Sequence, residues 1–460
     1  MNRLLISAAH KSSGKTTVSI GLCHALSQAG HRVQPFKKGP DYIDPMWLSQ
    51  ATGRSCINLD FYTMQHEEIH QRFQSYSEGA DISLIEGNKG LYDGLDIEGS
   101  NSNAALAQLL KAPVVLVIDV RGVTRGIAPL LLGYQAFCKD IHIAGVIFNQ
   151  VGGQRHESKL RKVIEHYTDI HVIGAVAKNP EMNIDERHLG LIPSNEAQQV
   201  KDKIDTIGQL VAEQVDLGKL IEIAKQAPTL PEIKIDPLET IKPNIKIGIA
   251  RDSAFGFYYQ DDFDALRQAG AELVFFDTLK DTKLPEVDGL FIGGGFPESF
   301  LKELNANQTM RESIRTAIDN GLPGYAECGG LMYLCRSIDW NKKIHEMVGI
   351  VPADVRMYQK PQGRGYIRLE ENNGHPWPSS DQNNKEIVGH EFHYSGLENL
   401  DPSVKSVYKV LRGFGIDGQQ DGLIYKNLLA CYAHLRDTRQ NHWTKRFVEF
   451  VRQCKESNGG

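Results

Sequence analysis

From residue 1 to about 235, short apolar runs alternate with stretches of helical periodicity. Arg3–Ala8, Ile82–Glu86, Val114–Asp119, Ile143–Asn149 and Val172–Val176 are brief, rich in β-branched residues and without a polar face. That pattern predicts strands of a parallel sheet covered on both sides. After the first run, Val18, Leu22, Ala25, Leu26 and Ala29 fall on one helical face, and Gly30 ends the helix. Strands alternating with helices imply βαβ units. Four prolines between 227 and 244 interrupt any regular element. A second series follows: Ile245–Ala250, Glu272–Phe276, Gly289–Ile292 and Pro323–Ala326. It ends in a helix with Trp443, Phe447, Phe450, Val451 and Cys454 on one face, which predicts a docked C-terminal helix. The expected organisation is an α/β domain over 1–235, a linker over 236–244 and a second α/β domain over 245–460.

The length of 460 residues fits two or three domains. Charge is nearly balanced, 51 Lys and Arg against 57 Asp and Glu, for a formal net charge of −6. That argues against a dedicated nucleic-acid or anionic-membrane binder. No run approaches the ~20 apolar residues of a membrane span, and the first apolar run is too short for a signal peptide. Seven cysteines, odd in number, scattered and without a CxxC pair, predict reduced thiols in a cytoplasmic protein rather than a disulfide framework or zinc knuckle.

Ala9-His-Lys-Ser-Ser-Gly-Lys-Thr16 lies between the first strand and the first helix. It matches GxxxxGK[ST] except that Ala9 replaces the first glycine. Gly14 lets the loop turn its N–H groups toward phosphate oxygens, and the helix N-terminus adds the positive end of its dipole. Lys15 is placed for the β- and γ-phosphates and the Thr16 hydroxyl for Mg²⁺. Asp41 and Asp44 follow in Lys37-Lys-Gly-Pro-Asp-Tyr-Ile-Asp-Pro45. Glu86 ends a buried strand, at the carboxyl edge where open α/β sheets bind ligands, and Asp93 follows in Glu86-Gly-Asn-Lys-Gly-Leu-Tyr-Asp93. These four acids are candidate metal or supporting groups, since Mg²⁺ takes oxygen ligands. For Asp93, a plain turn-forming role is as good a reading.

In Pro323-Gly-Tyr-Ala-Glu-Cys-Gly-Gly-Leu-Met-Tyr333 a strand ends on Cys328 and two glycines lead into a helix. A sharp strand–Cys–helix turn exposes the sulfur at a helix N-terminus, where the dipole favours thiolate. His434, at the end of Ala430-Cys-Tyr-Ala-His434, is the candidate base. Cys335, Cys431 and Cys454 read as buried structural thiols. The triple glycine in Phe291-Ile-Gly-Gly-Gly-Phe-Pro-Glu298 either presents N–H groups as an oxyanion hole or relieves crowding. His390 and His393 in Gly389-His-Glu-Phe-His-Tyr394 point to opposite faces of a strand, which reads as structural or substrate-adjacent rather than metal-binding.

Taken in order, the phosphate loop, 37–45, EGxxGLYDG (86–94), ERHLGL (186–191), ARDSAFGFYY (250–259), GGGFPE (293–298), YAECGGLMYL (325–334), GHEFHYS (389–395) and AHL (433–435) resemble the cobyrinic acid a,c-diamide synthase family over nearly the whole chain. The resemblance implies a dethiobiotin-synthetase-like P-loop domain followed by a class I, triad-type glutaminase domain. It implies Cys328 as nucleophile and His434 as its base, with Gly294, Gly295 and Gly329 at the oxyanion. Gly14, Lys15, Thr16, Thr17 and Asn149 would hold ATP, Asn149 reading the adenine. Thr16, Asp41 and Glu86 would hold Mg²⁺, and Tyr42, Asp44, Lys89 and Asp93 the substrate. The implied partners are L-glutamine and a tetrapyrrole carboxylic acid, with no nucleic acid, no membrane, and a homodimer as the candidate assembly. Arg436 stands where glutaminases of this class carry the acid of an HxE motif, which leaves open what orients His434. Asn88-Lys89 and Ser100-Asn-Ser-Asn103 also depart from the family and resemble a branch linked to dissimilatory sulfite reductase, which raises sirohydrochlorin or sirohaem as the alternative ring. Three rivals have other roles: a P-loop scaffold ATPase, a CTP-synthetase-like amidotransferase and a tetrapyrrole-binding regulator.

Overall fold

A computed structural model describes residues 1–187, 190–195, 200–231, 241–378 and 386–458. It divides into two compact units, 1–235 and 236–460. Part of the ERHLGL segment and residues 236–240 of the expected linker lie outside the described residues; 241–244 carry no regular element.

The first unit is built on seven strands: β1 (Arg3–Ala8), β2 (Val33–Lys38), β3 (Ile57–Leu59), β4 (Ile82–Glu86), β5 (Val114–Asp119), β6 (Ile143–Val151) and β7 (His171–Ala177). Their order is β3-β2-β4-β1-β5-β6-β7 and every pairing is parallel. The five apolar runs of the sequence are β1 and β4 to β7, the last two running somewhat longer than expected. β2 was hidden by Gln34, Pro35, Lys37 and Lys38, polar or helix-breaking residues that are nonetheless buried. Helix α1 (Lys15–Gln28) buries Val18, Leu22, Ala25 and Leu26 as expected, but Ala29 lies exposed beyond its end. Ser19, Ile20, Gly21 and Cys23 are buried too, because helix Val200–Gln214 covers the other side. Gly21 and Gly208 permit that approach: a methyl at Gly21 would lie 2.4 Å from Val211, and one at Gly208 2.1 Å from His24.

The second unit holds a nine-stranded sheet: β8 (Ile245–Ala250), β9 (Ala271–Phe276), β10 (Gly289–Ile292), β11 (Gly324–Glu327), β12 (Gly363–Glu371), β13 (Glu386–His393), β14 (Lys405–Arg412), β15 (Gln420–Tyr425) and β16 (Leu428–Cys431). The order is β9-β8-β10-β11-β16-β15-β14-β12-β13. The first five are parallel, and the remaining strands are joined by antiparallel pairings. Cys335–Trp340, Lys343–Glu346, Val351–Met357 and Ser395–Glu398 form a separate four-stranded sheet. The C-terminal helix Trp443–Asn458 docks as its periodicity requires, with Trp443, Phe447, Phe450 and Val451 in the core beside Tyr325 and Phe291. Among the described residues, no helix is long and apolar enough to cross a membrane.

Candidate active sites

In the first unit, the turn between β1 and α1 brings the phosphate loop to the carboxyl edge of the sheet. Gly14 adopts a left-handed φ of 79°, where a side chain would be strained and would also run into Asn149 Nδ2. The Asn149 amide donates to the Ser13 carbonyl at 2.9 Å and so braces the loop from β6. Thr17 is half-buried in the first turn of α1.

Lys15 and Thr16 meet the carboxyl ends of β2 and β4. Lys15 Nζ lies 2.7 Å from Glu86 Oε1, and the Thr16 hydroxyl donates to the same oxygen at 2.6 Å and to Asp44 at 3.1 Å. Lys37, which the sequence did not single out, completes the group: its ammonium is 3.1 Å from Glu86 Oε2, 3.7 Å from Asp41 and in direct contact with Asp44. Lys37 is 1% exposed and Glu86 fully buried. Burial pulls the Lys37 ammonium down, but Asp44, Glu86 and Asp41 outweigh it and the net shift is upward. At Lys15 burial prevails over Glu86 and the shift is downward. Burial and Asp41 raise the Asp44 carboxyl against the pull of Lys37 and Lys15.

The remaining candidates have different surroundings. Asp41 Oδ1 also accepts from the amides of Ile43 and Asp44, capping helix α2 (Ile43–Thr52), and Tyr42 is buried beside it. Asp93 is exposed and its carboxylate accepts from Gly90 N at 3.0 Å, the turn-forming geometry. Lys89 is exposed on the same loop, while Lys38 behind it donates to Asn88 at 3.2 Å. That loop is stapled by Asn103. Its amide donates to Ser7, Lys89 O and Gly90 O, and its oxygen accepts from Asn88 N. Ser102 caps the following helix through Ala105 N. The unusual Ser-Asn-Ser-Asn run is therefore loop architecture.

In the second unit, Cys328 sits between β11 and the short helix Gly329–Leu334 with φ 48° and ψ −103°. A non-glycine residue at positive φ is strained, and here it marks a sharp elbow. Its N–H is fixed by Cys431 O at 2.8 Å. A methyl at Gly330 would lie 2.1 Å from Ile292 O, and one at Gly329 3.0 Å from Gly295 N, so only glycine lets the elbow nest against the 293–295 turn. The same turn carries the imidazole: a methyl at Gly294 would meet His434 Cε1 at 2.4 Å. Cys328, Gly329, Gly294, Gly295 and His434 thus converge. Two influences act on the Cys328 thiol in opposite directions. Gly329 N–H favours the thiolate, but burial dominates and pushes the Cys328 thiol up.

His434 is held from two sides. Its main chain exchanges hydrogen bonds with His390 of β13, which puts GHEFHYS beside the site; Phe392 O lies 3.8 Å from Cys328 Sγ. Its Nδ1 is 3.4 Å from Oε2 of Glu327, a buried acid that the sequence reading passed over. Arg436, at the position of the missing acid, turns away to pair with Asp261 at 2.8 Å, both 1% exposed. The detectable signal was a charged residue ending an otherwise apolar strand, one position before Cys328.

The fold and the two sites define a class: an ATP-binding P-loop unit joined to a glutamine amidotransferase unit of the elbow-cysteine type. Residues 2–185 match the AAA domain model and residues 246–441 the CobB/CobQ-like glutamine amidotransferase domain. The cobyrinate a,c-diamide synthase of Magnetococcus marinus is 45% identical over 98% of this chain and 97% of its own. Those of Archaeoglobus fulgidus and Listeria innocua are 41% and 39% identical over 97% and 95% of this chain, and 97% and 96% of their own. Among solved structures, PurLQS from Thermotoga maritima aligns over 48% of this chain and 100% of its own, at 16% identity and a TM-score of 0.34. The chain belongs to the cobyrinate a,c-diamide synthase family. It is an amide ligase that takes its nitrogen from glutamine and binds ATP.

Proposed function

We propose that this chain converts carboxylates of an acidic tetrapyrrole, in the first instance the a- and c-acetates of cobyrinate, into amides. A carboxylate resists attack by ammonia because its leaving group is oxide or hydroxide. Attack of a substrate carboxylate oxygen on the γ-phosphorus breaks the bond to ADP and gives an acyl phosphate. Ammonia then adds at the carbonyl carbon and phosphate departs. Lys15 and Lys37 would balance charge on the phosphates and on the substrate carboxylate. The Thr16 hydroxyl and the carboxylates of Asp41 and Glu86 are hard oxygen donors of the kind Mg²⁺ takes. Among the described residues, no group of three His, Cys, Asp or Glu forms a metal cage. An ion held by Thr16, Asp41 and Glu86 would supply charge neutralisation at the phosphates.

In the second unit, Cys328 Sγ would attack the side-chain amide carbon of glutamine. His434 would take the thiol proton and pass it to departing ammonia, and water would then release glutamate from the thioester. The upward shift of the Cys328 thiol supports a base acting during attack rather than a resting thiolate. Gly294, Gly295 and Gly329 would lend N–H groups to the oxyanion, and Asn149 would face the adenine.

The observation that carries this reading is the presence in one chain of both a phosphate loop with its acid–lysine cluster and a strained cysteine elbow beside a histidine. Neither set alone accounts for the other. The test is Cys328→Ala: glutamine-dependent amidation should vanish while ammonium-dependent amidation persists. Loss of both would overturn the division into two sites. Lys89, exposed at the rim of the acid cluster's loop, keeps sirohaem or sirohydrochlorin as the second reading, since a cation there suits a further ring carboxylate. Product masses from cobyrinic acid, sirohydrochlorin and sirohaem, each offered with ATP and glutamine, choose between them.

A further inference from the structure

Glu327 divides its two oxygens between different tasks. Oε1 accepts from the Tyr325 hydroxyl at 2.6 Å and from Leu435 N at 2.8 Å. Burial pushes the Tyr325 phenol up, which keeps it a donor. Oε2 faces Nδ1 of His434 at 3.4 Å, and both side chains are nearly sealed from water, 4% and 2% exposed. The carboxylate therefore grips the main chain just after the histidine and also meets its ring. It belongs to the residue directly before Cys328, so one stretch of backbone fixes nucleophile and carboxylate together. The opposite end of the pair is fixed as well, since β11 and β16 run in parallel register with Glu327 opposite Cys431.

We propose that Glu327 is the positioning residue of the glutaminase site, doing from the nucleophile's own strand what a downstream acid does in an HxE arrangement. A carboxylate 3.4 Å from Nδ1 favours the Nδ1–H tautomer of the imidazole and leaves Nε2 to take the Cys328 proton. It also offers a counter-charge to the imidazolium that forms. Arg436 can stand at the usual acid position because it is taken up by Asp261 and stacks over Tyr259 at 4.7 Å. The inference rests on the reading of Cys328 as nucleophile and His434 as base.

Glu327→Gln separates positioning from scaffolding. A glutamine can keep its oxygen at the Oε1 place, preserving the bonds from Tyr325 and Leu435, while its NH₂ replaces Oε2 and presents a donor to Nδ1. The expected result is a fall in kcat for glutamine hydrolysis of about 10²–10⁴-fold, with KM little changed. Ammonium-dependent amidation should be retained. In histidine-selective ¹⁵N spectra, the His434 signal, assigned by its loss in His434→Ala, should change from the Nδ1–H to the Nε2–H tautomer. Wild-type kcat in Glu327→Gln, with His434→Ala inactive, would overturn this inference alone. Glutamine hydrolysis persisting in His434→Ala would overturn the reading beneath it. Should Glu327→Gln not fold, the wild-type spectrum still decides: an Nδ1–H imidazole supports the proposal and an Nε2–H imidazole overturns it.

Discussion

Lys15 and Glu86 form a buried ion pair at 2.7 Å, so the lysine of the phosphate loop rests on the strand that ends at the acid cluster. Lys37 approaches the other oxygen of Glu86 at 3.1 Å. A nucleotide can therefore draw Lys15 onto its phosphates without stranding Glu86 as an unpaired buried charge, a state that would cost several kcal/mol.

Under the proposed function, Lys15→Met should remove a cation that acts on the transferring phosphoryl group. Amidation should fall by about 10²–10³-fold with either glutamine or ammonium, in line with the loss of one electrostatic stabiliser. Glutamate release in the absence of ATP should continue. Parallel assays of ADP, glutamate and amide product check this. A variant that loses glutamate release as well would tie the two units more closely than their separate sites require.

Gly294→Ala probes the other site by crowding. Its added methyl would sit 2.4 Å from His434 Cε1 and 3.3 Å from Phe257 Cβ. The ring edge can yield more readily than the backbone, so the imidazole should shift away from Cys328 while the fold survives. A displacement of that size in a catalytic group costs about 10²-fold. Glutamine-dependent turnover should drop accordingly, with ammonium-dependent turnover unchanged. A crystal structure of the variant would show the displaced ring.

Some of this architecture was legible in the residues and some was concealed. Buried parallel strands must be apolar on both faces, so β1, β4, β5, β6 and β7 stand out. β2 did not, because the site needs Lys37 and Lys38 inside the protein and those polar residues erase the strand signal. Strands β12 to β15 were unread for another reason. Burial along β12 to β14 is mixed, so no long apolar run marks them. The phosphate loop and the cysteine elbow were visible as compact motifs with glycines at fixed places. Glu327 was not, since its partner lies 107 residues on and only the parallel register of β11 and β16 brings them together. The turn reading of the glycines and the functional reading meet at Gly294, where the missing side chain makes room for His434.

Asn103 should matter to stability more than to chemistry. It is fully buried and its amide makes four hydrogen bonds that fix the loop after Glu86. Asn103→Leu fills similar space but leaves Lys89 O, Gly90 O and Asn88 N without this partner. The expected loss is about 1–3 kcal/mol by urea denaturation of the first unit's transition, since buried polar groups left unsatisfied carry that cost. The KM for ATP should rise less than the stability change would suggest if Lys15 and Glu86 keep their places.

His375 gives the second unit an acid sensitivity of definite sign. Its side chain is 2% exposed, with Nε2 at 2.9 Å from the Tyr408 hydroxyl and Nδ1 accepting from Trp377 N at 3.1 Å. Burial pushes its pKa down to about 3, and Arg446 adds to the shift. In the unfolded chain the same group titrates near 6.5. Between those values the unfolded state carries a proton that the folded state does not, so stability falls as pH drops from 6.5 toward 3. One such group contributes at most about 1.4 kcal/mol per pH unit. His390, also pushed down to about 3 by burial and His434, acts in the same direction. Replacing His375 with Gln removes one of these protons. Stability against urea, measured from pH 7 to pH 5, should then decline less steeply in the variant than in the wild type. An unchanged slope would mean that His375 accepts its proton within the folded protein.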